Sequence, residues 1–476
     1  MGSLQGFMDF KRKDFDYKSI EERLGNYDEF LVMQNDTGIK KQAARCMECE
    51  TPYCHALGCP IFNRIPEWNN FVFRKDIKSA YESLTRTNPF PEFTGRICPA
   101  LCEASCSLSI NLAPVTIKQI ELYIIEKAFS EGLVKPEPPK ERKKAKVAVI
   151  GSGPSGLAAA DRLNRMGYQV TVYEKAEKAG GLMRYGIPNF KLPKKIIDRR
   201  IALMEMEGIT FKTNTAVGKD LDIDYLKSAF DAVLLCIGAE APRDLKIEGR
   251  DLEGIHFAVT YLSQANQFVM GDRSEIEIIN AKGKKVLVIG GGDTGSDCIG
   301  TANRQGAEKV TQIEILQKPR EWNESYNPTW PDYPSILRTS SSHKEGCIRD
   351  FAVNTKSFIS EGGRVVGANC IRVEWVKDSA NNNIMKEIPG SEFVIKADLV
   401  FLSMGFVHAE HSQWLSELGI EYNGRGNINT SAEYETNIKG IFSAGDAATG
   451  ASLVCRGISH GRQAALAVAE YLSGNS

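Results

Sequence analysis

The stretch KVAVIGSGPSGLAAADRLNRMGYQVTVYEK, residues 146–175, decides the fold. Val147–Ile150 is a short unbroken apolar run, as a strand buried on both faces requires. Gly151, Gly153 and Gly156 follow as G-x-G-x-x-G; a helix comes next, then a strand over Gln169–Tyr173 that ends at Glu174. The first glycine permits the tight turn, the second lets backbone N–H groups approach a pyrophosphate, and the third lets helix pack on strand. Glu174 stands 23 residues beyond Gly151, near the spacing at which an acid reaches a ribose hydroxyl. Glycines alone would say little, but strand, helix, second strand and acid in register specify a dinucleotide-binding unit.

The pattern recurs. Lys285–Ile289 reads as a strand, Gly290, Gly292 and Gly295 repeat the fingerprint, a helix runs to about Gln305, and a strand covers Val310–Leu316. Two dinucleotide sites in one chain point to a flavin exchanging electrons with a nicotinamide. A third signal is Ile441–Asp446, IFSAGD. A strand ending in Gly445-Asp446 can offer a carboxylate to a flavin's sugar-alcohol chain. It would return the chain to the first unit, making the flavin domain discontinuous and the nicotinamide domain an insertion.

Length and composition agree. With 476 residues, the chain suggests about two to four domains. Lys+Arg number 59 and Asp+Glu 60, for a net charge of -1, so neither nucleic acid nor an anionic membrane is expected as main partner. A hydrophobic fraction of 42% is ample for packed cores. No apolar run reaches about 18 residues, and the N-terminal MGSLQGFMDFKRKDF lacks a signal core. Gly2 invites a myristoylation reading, but position 6 is Gly rather than Ser or Thr. A soluble, cytoplasmic protein is expected.

Seven of the 12 cysteines lie within residues 46–106: Cys46, Cys49, Cys54, Cys59, Cys98, Cys102 and Cys106. A disulfide framework fits poorly, since seven is odd and no secretion signal precedes it. Zinc sites favour pairs spaced by two, and only Cys46 and Cys49 have that spacing. The run C-x2-C-x4-C-x4-C-P resembles ferredoxin runs, which close on Cys-Pro; Cys98-Pro99 repeats the ending. Seven thiolates are one short of the eight that two 4Fe–4S clusters need. Either one cluster has three cysteines, or another side chain completes it. Val115–Phe129 is apolar at helical spacing, and KPEPPKERKKAK (135–146) reads as a solvated linker.

CMECETPYCHALGCP, GRICPALCEASC, VIGSGPSGLAAA, GGLMRYGIP, VIGGGDTGSDC and IFSAGDAATGASLV together resemble the small (β) subunits of glutamate synthase over essentially the whole chain. The same module is similar to the N-terminal part of dihydropyrimidine dehydrogenase and to subunits of bifurcating ferredoxin–NADP oxidoreductases. The resemblance implies an α/β chain: an α-helical iron–sulfur domain, then two Rossmann-like domains of the glutathione reductase type. The expected boundaries are 1–134 for two 4Fe–4S clusters, 135–146 for the linker, 147–270 with 396–476 for FAD, and 271–395 for NAD(P)H.

By the same resemblance, Cys46, Cys49, Cys54 and Cys106 hold one cluster, and Cys59, Cys98, Cys102 and Glu121 the other. Glu121 comes from matching APVTIKQIE; a carboxylate ligand should lower that cluster's potential. For FAD the implied residues are Gly151, Gly153, Pro154, Ser155, Gly156, Glu174, Lys175, Gly181, Leu182, Arg184, Gly238, Gly445 and Asp446. For the nicotinamide cofactor they are Gly290, Gly292, Asp293, Thr294 and Gly295, with Arg304 and Lys318 as further candidates. Glu314 takes the place of the acid that bonds a free 2′-hydroxyl, while Lys318 and Arg320 lie just beyond and could bind a 2′-phosphate; bacterial relatives favour NADPH over NADH.

The implied path takes hydride from NAD(P)H to FAD, then single electrons through the clusters. The cofactors carry this chemistry, so no protein catalytic residue is expected. No Cys pair follows Gly181, unlike disulfide reductases of similar fold, and Cys298 stands alone as a small buried residue. Residue 2 is Gly, not the N-terminal Cys used for glutamine hydrolysis in this family, and no room remains for a 2-oxoglutarate site. The chain is therefore expected to be the electron-input half, feeding a large α subunit that carries FMN and an iron–sulfur cluster. The alternative is an input subunit of another ferredoxin-linked or bifurcating oxidoreductase.

Overall fold

Strand Lys146–Ile150 is buried over its last four residues, and its neighbour Ala232–Leu235 is wholly buried and apolar. Such strands are stable only with cover on both faces. In the computed structural model, which describes residues 3 and 5–474, this strand is the centre of a five-stranded parallel sheet. The order across it is Ile441–Ser443, Ala232–Leu235, Lys146–Ile150, Gln169–Tyr173 and Thr210–Lys212. Helix Pro154–Arg165 and the long closing helix Val454–Gly474 pack on each other over one face. Gly2 lies outside the described residues.

A second five-stranded parallel sheet repeats the plan, ordered Ile348–Phe351, Lys309–Glu314, Lys285–Ile289, Leu399–Leu402 and Ile255–Phe257. A four-stranded antiparallel sheet (Val353–Glu361, Arg364–Lys377, Asn383–Glu387, Phe393–Lys396) packs Val353, Phe358 and Val365 against Leu287, Ile289 and Val400 of the parallel one. The expected domain boundaries shift here. Ile255–Phe257 and the helix Ala258–Val269 belong to the second unit, as does Leu399–Leu402, which pairs with Lys285–Ile289. The chain therefore crosses between the units before 255 and after 402, rather than at 270/271 and 395/396.

The N-terminal domain is a cluster of helices, chiefly Ile65–Phe73, Ile77–Thr85, Pro91–Ile97 and Ile117–Ser130, with one short pair of strands, Asp16–Tyr17 and Leu31–Val32. Helix Ile117–Ser130 is buried nearly all round, matching its apolar spacing. Trp68, Phe90 and Phe93 are fully buried, and the core they form continues without a break into Val147, Leu157 and Leu472 of the first Rossmann unit. Ion pairs reinforce that seam: the buried Arg200 grips Glu92 through two bonds of 2.6 and 3.0 Å, and the half-buried Arg199 reaches Glu126 at 2.9 Å. The linker is exposed along most of its length yet tied down by Arg142, whose guanidinium bonds Asn164 Oδ1 and the Glu207 carbonyl at 2.6 Å each. Among the described residues no helix is long and apolar enough to cross a membrane.

Candidate functional site

The first glycine loop opens on a cleft of about 820 Å³, within the range of cofactor sites. Gly151 has φ +101°, and a Cβ there would strike the Cys236 carbonyl oxygen. Gly156 meets Gly151's own carbonyl, so any larger residue would push the helix off the strand. Gly153 differs. A Cβ at Gly153 would meet nothing within 4 Å, because the residue faces the cleft. Gly153 also caps helix Pro154–Arg165, whose first turn directs free N–H groups towards that space. An open cradle at a helix N-terminus fits a pyrophosphate, and the residues present therefore suit FAD.

Glu174 is buried beside the loop. Its Oε2 accepts from Ser152 N (3.1 Å) and Ser152 Oγ (2.5 Å), and its Oε1 from Ala176 N (2.8 Å). Ser152 Oγ in turn accepts from Gly180 N at 2.9 Å, tying the loop to the Gly180-Gly181 turn. That turn lies so close that a Cβ on Gly181 would sit 2.8 Å from Gly153 Cα. Gly181 and Leu182 line the cleft. Arg184 does not: it is 2% exposed, and its guanidinium bonds the Ala179 carbonyl (2.5 Å) and Asp198 (2.6 Å). Lys194 works alongside, its ammonium bonding the Met183 carbonyl at 3.0 Å and that of Ile187, while burial pushes its pKa well down. Both side chains hold the turn's backbone from behind. At the far strand, Asp446 lines the cleft with Oδ1 accepting from Ser452 Oγ at 2.8 Å; burial raises its pKa.

The second loop repeats this geometry residue for residue. Gly290 has φ +122° and abuts the Ser403 carbonyl at 2.5 Å from a built Cβ; Gly295 abuts the Gly290 carbonyl; Gly292 caps helix Asp293–Arg304 and faces open space. Glu314 accepts from Gly291 N and Leu316 N, as Glu174 does from Ser152 N and Ala176 N. Lys318 pairs with Glu321, and Arg320 lies 4.1 Å over the Trp322 ring. The segment after them docks on the N-terminal domain: Trp330 Nε1 bonds the Cys106 carbonyl (3.1 Å), and Ser105 Oγ bonds that of Pro331 (2.7 Å).

The seven cysteines fall into two sets. Cys46, Cys49, Cys54 and Cys106 line one small cavity with Ile65, Asn69 and Ile117. Cys59, Cys98 and Cys102 adjoin one another and the buried Glu121. The Glu121 carboxylate accepts from Asn88 Nδ2 (3.2 Å), Asn63 Nδ2 (3.4 Å) and Thr94 Oγ1. Burial pushes the Cys46 thiol up to about 11 and that of Cys59 to about 12. Among the described residues no three such side chains close on a single-ion geometry. Gathered buried thiols ionise only when a cation collects their charge, and soft thiolate sets of this kind suit iron–sulfur clusters.

Residues 23–133 match the family model described as dihydropyrimidine dehydrogenase domain II, 4Fe-4S cluster. Residues 145–332 and 355–469 match that of the pyridine nucleotide-disulphide oxidoreductases. The glutamate synthase (NADPH) small chain of Mycobacterium tuberculosis is 46% identical, over 96% of this chain and 93% of that one. That of Bacillus subtilis is 43% identical, over 100% and 99%. The chain belongs to the glutamate synthase small-chain family. It also matches the glutamate synthase (NADH) of Schizosaccharomyces pombe at 46% identity, spanning 98% of this chain but 22% of that protein. Among solved structures, Mycobacterium tuberculosis FprA shares the fold, with TM-score 0.56 and 17% identity over 70% of this chain and 85% of that one.

Within this family framework, most residues expected from sequence gather at the two loops. Gly151, Gly153, Pro154, Ser155, Glu174, Lys175, Gly181, Leu182, Gly238 and Asp446 line the first cleft. Gly156 and Gly445 act by close packing instead; a Cβ on Gly445 would stand 2.7 Å from that of Ser155. Arg304 is a correction. Its side chain is fully buried, bonded to Glu345 at 2.6 and 3.1 Å and laid 3.7 Å over Phe190, which leaves its charge nothing for a nucleotide. Sequence reasoning missed Ser152, Glu240 and Trp414 on the cleft wall. Ser152 was findable, being the residue inside G-x-G; Trp414 arrives on the short, distant helix Gln413–Leu418 with no local signal.

Proposed function

We propose that this chain is the electron-input subunit of a glutamate synthase. NADPH binds at the Gly290–Gly295 loop and is oxidised at FAD held in the Gly151–Gly156 cleft. Electrons leave through two 4Fe–4S clusters, one on Cys46, Cys49, Cys54 and Cys106, the other on Cys59, Cys98, Cys102 and Glu121. A separate large subunit carrying FMN and an iron–sulfur cluster receives them and makes L-glutamate from L-glutamine and 2-oxoglutarate. The carrying observation is the single core in which Cys54, Cys59, Cys102 and Cys106 pack continuously with Leu157 and Cys236 at the flavin cleft.

The bound flavin and clusters supply the conversion of a hydride into single electrons. The protein's own residues bind and orient. The Gly153 helix terminus takes the FAD pyrophosphate, Glu174 its ribose, and Arg184 with Lys194 hold the Gly180-Gly181 turn against the loop. In the second unit Lys318 and Arg320 take the 2′-phosphate, against the repulsion of Glu314. No disulfide joins any of the twelve cysteines, which suits a reducing cytoplasm. Anaerobic native purification tests the reading. The expected result is co-purification of a large FMN protein and NADPH-dependent glutamate formation by the pair. A flavin- and iron-loaded chain found with a different redox subunit refutes the glutamate synthase assignment.

A further inference from the structure

Helix Ile65–Phe73 turns one face to the first cysteine set. Ile65 and Asn69 stand one turn apart on it, and both line the small cavity walled by Cys46, Cys49, Cys54 and Cys106. Apart from the cysteines, that wall is apolar save for Ser107 and Asn69. Ser107 has a partner, since the Cys49 thiol lies 3.5 Å from its Oγ. Asn69 has none. It is fully buried, and neither Nδ2 nor Oδ1 meets a hydrogen-bond partner. Its amide approaches the Cys46 sulfur without completing a bond. Buried polar groups are nearly always paired, and leaving one unpaired is costly. Beside the second set, by contrast, the buried Asn63 and Asn88 both bond Glu121.

We propose that Asn69 donates an amide N–H to a sulfur of the cluster held by Cys46, Cys49, Cys54 and Cys106, and so raises that cluster's reduction potential. The inference rests on the cluster assignment made above. Cluster sulfurs accept hydrogen bonds and donate none, and of the side chains on this wall only Asn69 carries N–H groups. An added electron makes the cluster more negative, so a donor at its sulfur favours the reduced form. The amide keeps both protons, no covalent bond forms or breaks, and the electron comes from the reduced flavin. Packing alone would be served by an apolar residue, as Ile65 serves it one turn away; the buried amide is what packing leaves unexplained.

The test is an anaerobic redox titration of the holoprotein, following each cluster by paramagnetic resonance, for wild type, Asn69→Leu and Asn69→Asp. Leucine matches the branched shape and aspartate the size, and neither side chain has an N–H. Cys49→Ala identifies the signal of this cluster by removing it. Asn69→Leu should lower the reduced-to-oxidised ratio of that cluster by about threefold to tenfold at fixed potential; tenfold corresponds to about 59 mV for a one-electron couple. Asn69→Asp should lower it at least as far, with the other cluster unchanged in both. Pulsed paramagnetic resonance gives a second readout: protein carrying nitrogen-labelled asparagine should show a nitrogen coupling in this cluster's signal, absent in Asn69→Leu. An unchanged potential in Asn69→Leu overturns the proposal, as does a shift confined to Asn69→Asp, which would be the effect of added charge. Absence of the coupling in wild type overturns it even if neither variant loads iron. Failure of the underlying assignment looks different: the wild-type protein would hold no cluster whose signal Cys49→Ala removes.

Discussion

The two glycine loops allow one experiment to separate the two nucleotide sites. Gly153 has φ −68° and ψ −178°, and Gly292 has φ −80° and ψ −175°. Both are extended conformations that valine adopts without strain. Neither position has any protein atom within 4 Å of a built Cβ. Gly153→Val and Gly292→Val should therefore leave the apoprotein fold and its thermal midpoint nearly untouched. Each fills the space a pyrophosphate needs. Forcing a branched side chain into a close-packed contact costs about 1–3 kcal/mol, or about 5- to 150-fold in affinity. Titrating apoprotein with FAD by flavin fluorescence, and holoprotein with NADPH by steady-state reduction of a dye, reads the two losses separately. Gly153→Val should weaken FAD alone, and Gly292→Val should raise the KM for NADPH while keeping stoichiometric flavin. Wild-type FAD affinity in Gly153→Val would refute the cradle reading. A lowered apoprotein midpoint in either variant would refute the claim that these positions face open space.

Glu92→Gln leaves the buried Arg200 without its countercharge and should destabilise the seam by about 3–5 kcal/mol; an unchanged apoprotein melting midpoint would contradict this, whereas the double change to Leu and Met should recover most of the loss. Burial, with Arg349 and Lys191 nearby, pushes His343 down from its ordinary 6.5 to about 4. Its folded pKa lies below its unfolded one, so its stabilising effect is complete above pH 6.5 and fades as pH falls towards 4. His343→Gln should flatten that part of a melting-temperature profile, and an unaltered slope would exclude His343 as its source. Glu121→Ala should alter or remove the paramagnetic signal of one cluster and spare the other; two wild-type spectra would reject Glu121 as a ligand.

Much of the site was legible because its chemistry is local. A G-x-G-x-x-G turn needs its three glycines within six residues, since each serves one short stretch of backbone: φ +101° at Gly151, the open face at Gly153, the carbonyl contact at Gly156. Glu174 follows from the length of one helix and one strand. Sets joined across the fold were less visible. Arg304, read as a nucleotide ligand from its place near a fingerprint helix, spends its charge on Glu345, and Arg23 from the chain's start joins the same carboxylate at 3.1 Å. The boundary shifts have a similar cause. Leu399–Leu402 and Ile255–Phe257 are short runs that either parallel sheet could accept, and only their pairing places them in the second.

By itself, then, the sequence determined two dinucleotide-binding units, an iron–sulfur domain before them, and most of the residues around the first cleft. These follow from backbone sterics and from thiols set at ligand spacing, both properties of short segments. Tertiary structure alone decided that Arg184 and Lys194 hold the Gly180-Gly181 turn from behind, that Trp414 lines the cleft, and that Arg23 and Arg304 share Glu345. Those contacts join residues whose separation along the chain carries no information about distance. They exist because burying the apolar faces of helices and sheets against one another leaves few ways to fold the chain, and the side chains brought together by that packing are set by the whole of it.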